Sequence, residues 1–194
     1  MTALYPLVIV SGPSGSGKST VISRVVAMGD LPLRVSISAT TRPPRPGEED
    51  GVHYHFWSRT HFQDELHRGS FLEHALVHGH CYGTLRDEVE PFRRAGRLVI
   101  LEIDVQGADT VRRGVKDVQS IFLKAPSLAV YEERLKKRGT ESEERIQGRL
   151  AAARLELERA ASYDYIVTNA EIDGAVREVH AILKGIVETF AHAR

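Results

Sequence analysis

Cysteine is nearly missing from this sequence. Cys81 stands alone in 194 residues, so no disulfide can form within the chain, and the sequence reads as that of a cytoplasmic protein in a reducing compartment. Net charge is missing too, since 26 Lys and Arg balance 26 Asp and Glu. That balance removes the basic bias expected of a partner for nucleic acid or an anionic membrane, so neither is expected. No window approaches the ~20 apolar residues needed to span a bilayer. The apolar run Leu7-Val8-Ile9-Val10 lacks a basic flank and meets a glycine-rich turn at once, which reads as a buried strand and not a signal peptide. Repeats, low-complexity tracts and long linkers are also lacking. The length suits one compact domain with a sizeable core, monomeric or homodimeric.

What the sequence does contain is a series of short Val/Ile/Leu-rich runs without polar alternation, at residues 5–10, 98–103, 120–124 and 165–168. Such runs suit strands buried on both faces of a parallel sheet. Helical patterns lie between them, which argues an α/β fold with right-handed crossovers. Two stretches interrupt the pattern. The alternating Val52-His53-Tyr54-His55-Phe56 predicts a half-exposed strand in a small antiparallel patch. Residues 127–155 are densely charged and helical, with Arg138-Gly139-Thr140 as a hinge and Thr140 with Glu143 as a capping box. The apolar positions Ile146, Leu150, Ala153 and Leu157 then keep a helical period, as do Ile172, Ala175, Val176, Val179, Ile182, Leu183 and Ile186 in a C-terminal amphipathic helix. The expected organisation is a core of residues 1–33, 98–126 and 156–194, an α+β insertion at 34–97 and a helical lid at 127–155.

Gly12-Pro13-Ser14-Gly15-Ser16-Gly17-Lys18-Ser19 matches G-x-x-x-x-G-K-[ST] between an apolar strand and a helical pattern starting at Thr20, the context this phosphate-binding P-loop requires. Glycines let successive backbone N–H groups curl around phosphate oxygens, and the helix N-terminus adds its positive end. Lys18 would reach the β- and γ-phosphates of ATP, and the Ser19 hydroxyl would take a position on Mg²⁺. The run Leu98 to Asp104 ends in acidic residues. Asp104 is the expected carboxylate for the metal, through water, although it also suits the cap of a following helix.

The P-loop reveals only that a nucleotide phosphate is bound; the acceptor must be read elsewhere. Arg42 and Arg45 are separated and followed by Pro43, Pro44 and Pro46, so they sit on a stiff segment with little ordering entropy left to lose. Two such guanidinium forks suit a dianionic phosphate, with Tyr54 and Tyr82 as further phenol donors.

Ser36-Ile37-Ser38-Ala39-Thr40-Thr41-Arg42-Pro43-Pro44-Arg45-Pro46-Gly47-Glu48, with Gly51 and Tyr54, closely resembles the signature of guanylate kinases. So do Phe71-Leu72-Glu73-His74-Ala75, Tyr82-Gly83-Thr84, Ile103-Asp104-Val105-Gln106-Gly107 and Arg134-Leu135-Lys136-Lys137-Arg138-Gly139, in family order. The resemblance implies a P-loop NTPase three-layer core with a central parallel sheet, and Mg²⁺-dependent transfer from ATP to GMP. Ser38, Glu73 and Thr84 would face guanine, and Arg42, Arg45, Tyr54 and Tyr82 would hold the GMP phosphate, with Asp104 in the same site. The chemistry agrees. A carboxylate accepts from guanine N1–H and N2–H₂ together, and hydroxyls can donate to O6. Adenine would instead turn an acceptor toward Glu73.

By the same resemblance Arg134, Arg138 and Arg149 are lid arginines that act on the transferring group with Lys18 and Arg42. Asn169, in a run that lacks the family's first acidic residue, would contact the adenine of ATP. The other readings weighed are a phosphopeptide-binding module of similar fold and a P-loop kinase for another phosphate acceptor. The intact Gly17-Lys18-Ser19 argues against the first, and the Ser38, Glu73 and Thr84 set against the second. His74, His78, His80 and Cys81 match no common zinc spacing.

Overall fold

The computed structural model describes residues 4–77, 79–137 and 143–192. Along the chain run β1 (Leu7–Ser11), α1 (Lys18–Ala27), β2 (Leu33–Val35), β3 (Ala39–Thr40), β4 (His55–Phe56), α2 (Arg59–His67), β5 (Phe71–Val77) and β6 (His80–Leu85). They are followed by α3 (Glu90–Arg94), β7 (Leu98–Glu102), α4 (Val105–Gly114), β8 (Val118–Lys124), α5 (Leu128–Lys137), α6 (Glu143–Glu158), β9 (Tyr165–Thr168) and α7 (Ile172–His192).

The expected α/β architecture is present. Five strands form a parallel sheet in the order β2-β7-β1-β8-β9. Successive residues of a strand point to opposite faces, and here both faces are covered. Val8, Val10, Ile100, Ile121 and Leu123 pack toward α1 and α7, while Leu7, Ile9, Val99, Leu101 and Phe122 pack toward α4. Burial on both sides is why these runs read as unbroken apolar segments.

One core strand gave no such signal. Leu33–Val35 pairs in parallel with Leu98–Ile100, so the main sheet takes in residues 34 and 35. Three residues with a central arginine are too short and too polar to stand out as a buried run.

The second sheet has the order β4-β3-β6-β5. Its β3–β6 and β5–β6 pairs are antiparallel, but β4 runs parallel to β3. The strand expected over residues 52–56 shrinks to His55–Phe56. The reason is a turn: the Val52 and His53 N–H groups both donate to Glu49 O, and Gly51 N donates to Tyr54 O at 2.8 Å. Those bonds leave Val52 exposed and consume the residues whose alternation had suggested a longer strand.

α5 and α6 pack around Tyr131, Leu135, Ile146 and Leu150. The Tyr131 hydroxyl accepts a bond from Ala125 N at 2.8 Å, which ties α5 to the end of β8. Of the periodic positions in α6, Ile146, Leu150 and Ala153 are buried, and Leu157 packs at the rim. The hinge at 138–140 and the capping threonine lie outside the described residues. Among those described, no helix is long and apolar enough to cross a membrane.

Candidate active site

A cleft of about 740 Å³ opens between the carboxyl end of the parallel sheet and the smaller mixed sheet. Its floor is the loop between β1 and α1. Gly12 has φ +138°, and a Cβ there would lie 2.1 Å from the carbonyl oxygen of Leu123, so only glycine lets the loop pass over β8. Lys18, the first residue of α1, donates from Nζ to Gly12 O at 2.6 Å and Pro13 O at 3.3 Å. Gly12, Ser14, Gly15, Gly17, Lys18, Ser19 and Thr20 line the cleft, while Pro13 and Ser16 are buried beneath it.

The Ser19 hydroxyl donates to Glu102 Oε1 at 2.6 Å. Glu102 ends β7 beside β1, paired with Val10. The strand-end carboxylate that touches Ser19 is therefore Glu102, which the sequence reading passed over in favour of Asp104. Asp104 caps α4, accepting from Gly107 N at 2.8 Å, and also lines the cleft. Both roles considered for it are thus compatible in space.

Four positions expected around the nucleotide are placed unequally. Arg149 of α6 lines the cleft and donates to Ser14 Oγ at 3.2 Å. Arg134 of α5 instead braces the loop from behind, donating to Gly15 O at 3.3 Å and Asn169 O at 3.0 Å. Arg138 lies outside the described residues. Asn169 is buried, and its amide nitrogen donates to Ser16 O at 2.8 Å. It is a strut under the P-loop and is not among the residues that line the cleft.

Across the cleft, Ser38, Arg45, Tyr54, Glu73 and Tyr82 share one wall. Glu73 on β5 is buried, and its Oε1 accepts from the Thr84 hydroxyl at 2.6 Å and from Thr84 N at 3.1 Å. Thr84 is completely buried, so its hydroxyl orients Glu73 and does not line the cleft. Arg42 is also buried, paired through both terminal nitrogens with Glu48. Tyr54 and Tyr82 meet edge to face with ring centres 6.0 Å apart. Burial, with the nearby Glu102 charge, pushes the Tyr54 hydroxyl up to about 12, so at neutral pH it remains a hydrogen-bond donor.

A family model described as guanylate kinase matches residues 5–185. The guanylate kinase of Xanthomonas campestris pv. campestris (strain 8004) is 47% identical over 176 residues, 91% of this chain and 86% of that protein. That of Neisseria gonorrhoeae is 48% identical over 167 residues, 86% of this chain and 81% of that protein. The crystal structure of guanylate kinase from Anaplasma phagocytophilum superposes with a TM-score of 0.77 at 30% identity, covering 95% of this chain and 87% of that one. The chain belongs to the guanylate kinase family. The resemblance of the sequence blocks and the expected P-loop fold are both borne out.

In this family member the Glu73 wall has a particular electrostatic state. Burial pushes the Glu73 carboxyl up to about 7; the Thr84 hydroxyl pulls it down, and the Asp104 charge adds to the rise. Asp104 is itself raised by burial. The ordinary value for Glu73 is 4.5, so the protonated form is favoured in the folded protein. That contribution to stability is present below pH 4.5 and is lost as pH rises through about 7. Glu73→Gln keeps an acceptor for Thr84 and has no charge to bury. Denaturation of the unliganded protein at pH 8 should therefore show the variant more stable by on the order of 2–3 kcal/mol, with no gain at pH 4.

Gly107 is a site residue that the motif contains but whose purpose only the packing reveals. A Cβ there would lie 2.6 Å from Glu73 Oε2 and 3.2 Å from Asp104 Oδ1. The first turn of α4 can approach both carboxylates only without a side chain. Helix propensity alone favours alanine by ~1 kcal/mol, so Gly107→Ala should fold normally. Displacing Glu73 should nonetheless raise KM for the acceptor about 10-fold or more, with KM for ATP unchanged, in steady-state assays.

Glu102, Glu48 and Glu156 also line the cleft and were not singled out from sequence. Glu102 had a signal, as the first acid at the end of an apolar strand. Glu48 closes the block that resembles the family signature, where Glu49 and Asp50 beside it obscure its role, and Glu156 lies among charged neighbours of α6 from which nothing in the pattern separates it.

Proposed function

We propose that this chain transfers the γ-phosphoryl group of ATP to GMP, giving ADP and GDP, in guanine nucleotide recycling. The observation that carries this reading is the buried Glu73 carboxylate, held by Thr84 on the wall opposite the P-loop. An ionised carboxylate there would pair with guanine N1–H and N2–H₂, and the Ser38 hydroxyl, which lines the same cleft, would donate to O6. Arg45, Tyr54 and Tyr82 form the cationic and phenolic surface for the acceptor phosphate. A phosphate monoester needs no strong general base, so the protein has mainly to align the groups and stabilise charge.

On the donor side the P-loop amides and Lys18 would hold the β- and γ-phosphates, and Arg149 would add charge over the transferring group. The oxygen donors of Ser19 and Glu102, in contact beside the lysine, are of the hard type that suits Mg²⁺. Ser19 would bind it directly, and Glu102 and Asp104 through water. When bound, the ion neutralises developing charge on the phosphate oxygens. Arg134 and Asn169 keep the loop in shape. ³¹P NMR of the protein with ATP, GMP and Mg²⁺ checks the reading: β-phosphate signals of both ADP and GDP should grow in equal amounts. Release of inorganic phosphate in place of GDP would sink it.

A further inference from the structure

The acceptor loop contains a carboxylate to which the reaction above gives no task. Residues 42–47 read Arg-Pro-Pro-Arg-Pro-Gly, so from 43 to 46 only Arg45 has a backbone N–H. That group donates to Glu48 Oε2 at 2.7 Å, and Glu48 N donates back to Arg45 O at 3.0 Å, closing the turn. The same carboxylate accepts from Arg42, Nη1 to Oε2 at 2.8 Å and Nη2 to Oε1 at 2.9 Å. Arg42 Nη1 also donates to Pro43 O at 2.7 Å. The guanidinium is thereby fixed with its carbon 5.4 Å from the Tyr54 ring centre and 5.6 Å from that of Phe56.

Two facts separate this pair from an ordinary surface ion pair, which contributes little. The Arg42 side chain is 10% exposed and that of Glu48 17%, so water screens them poorly. Further, one carboxylate takes charge-assisted bonds from one arginine and the backbone N–H of the other. A negative group lining a phosphate site is unfavourable unless its oxygens are engaged, and here three donors engage them. Burial works against the Glu48 charge, yet the Arg42 and Arg45 donors hold its carboxyl below the usual range.

We propose that Glu48 is the positioning residue of the acceptor-phosphate site, fixing the buried Arg42 guanidinium and the Arg45 backbone so that Arg45, which lines the cleft, meets the nucleotide phosphate in one arrangement. This rests on the reading of GMP as acceptor. Without Glu48, Arg42 must be ordered and Arg45 re-aimed each time a phosphate binds, and the loss falls on affinity for the phosphate.

Glu48→Gln keeps the shape but replaces one oxygen with a donor that faces a guanidinium. KM for GMP should rise about 30-fold with kcat within about threefold. KM for ATP should not change, and inhibition by guanosine, which lacks the phosphate, should stay within about twofold. Because Glu48 acts largely through Arg42, adding Glu48→Gln to Arg42→Gln should weaken GMP much less than it does in the wild-type background.

An unchanged KM for GMP overturns the proposal. So does equal weakening of GMP and guanosine, which would mark a merely structural role, and so does full additivity in the double variant. The unmodified protein is assayed alongside. Its failure to phosphorylate GMP would overturn the functional reading and this proposal together, whereas normal transfer by both proteins overturns this proposal alone.

Discussion

Lys18→Ala lowers the rate of phosphoryl transfer by about 10³-fold or more and leaves GMP affinity within about threefold. The split follows from placement. Nζ sits at the mouth of the P-loop, on the Gly12 and Pro13 carbonyls, where the β- and γ-phosphates of a donor nucleotide would draw it inward. Charge developing on the transferring group would then lose a cation fixed at the P-loop, and alanine offers no substitute. The acceptor wall is built on the other sheet, from β5, β6 and the loop after β3, and its bonds from Thr84 to Glu73 and from Arg42 to Glu48 are made without Lys18. Stopped-flow transfer rates beside calorimetric titration with GMP separate the two quantities. Equal loss in both would place the lysine in the acceptor site and contradict the geometry.

Glu73→Gln collapses the preference for GMP over AMP by about 10²–10⁴-fold and removes a pH dependence. Glutamine offers guanine one acceptor and one donor where the carboxylate offers two acceptors, so the pairing with N1–H and N2–H₂ cannot be completed. The same amide meets adenine N1 with a donor, which the carboxylate cannot do. The pH effect has a definite sign. The proposed pairing with guanine needs ionised Glu73, and burial sets its carboxyl at about 7. Below that pH the competent fraction falls tenfold per unit, and KM for GMP should climb accordingly. The phosphate of GMP titrates separately, near 6. In the variant the step near 7 should vanish while the one near 6 stays. KM for ATP should be flat across both in either protein.

The parts of the fold legible in the sequence were those where one local cause dominates. β1, β7 and the centre of β8 are buried on both faces, so their residues had to be apolar almost without interruption, whereas the edge strand β9 was legible from its short Tyr165-Ile166-Val167 run alone. α7 was legible because Val176, Val179, Leu183 and Ile186 must face the sheet. What stayed hidden depends on neighbours distant in the chain. Leu33–Val35 is a strand only because Leu98–Ile100 offers a free edge. Residues 52–54 alternate like a strand but bend around Glu49 O.

The site shows the same division. Gly12 to Ser19 carries its own geometry and could be read directly. Glu73 could be suspected from its motif, but Thr84 as its hydrogen-bond donor required the β5–β6 pairing. Likewise Ser19 and Glu102 are 83 positions apart and meet only through the β1–β7 register. Asn169 was expected beside adenine. Its position under Ser16 follows from the β8–β9 pairing that delivers the end of β9 to the P-loop.

The central claim is that a P-loop donor site faces a guanine-selective acceptor wall built around Glu73. Its most direct test is ADP formation with ATP and Mg²⁺ and, in separate reactions, matched GMP, AMP, UMP or no acceptor. The account predicts rapid turnover with GMP, rates lower by ~10⁴-fold with AMP, and almost none with UMP or without acceptor. Equal turnover with GMP and AMP would contradict it.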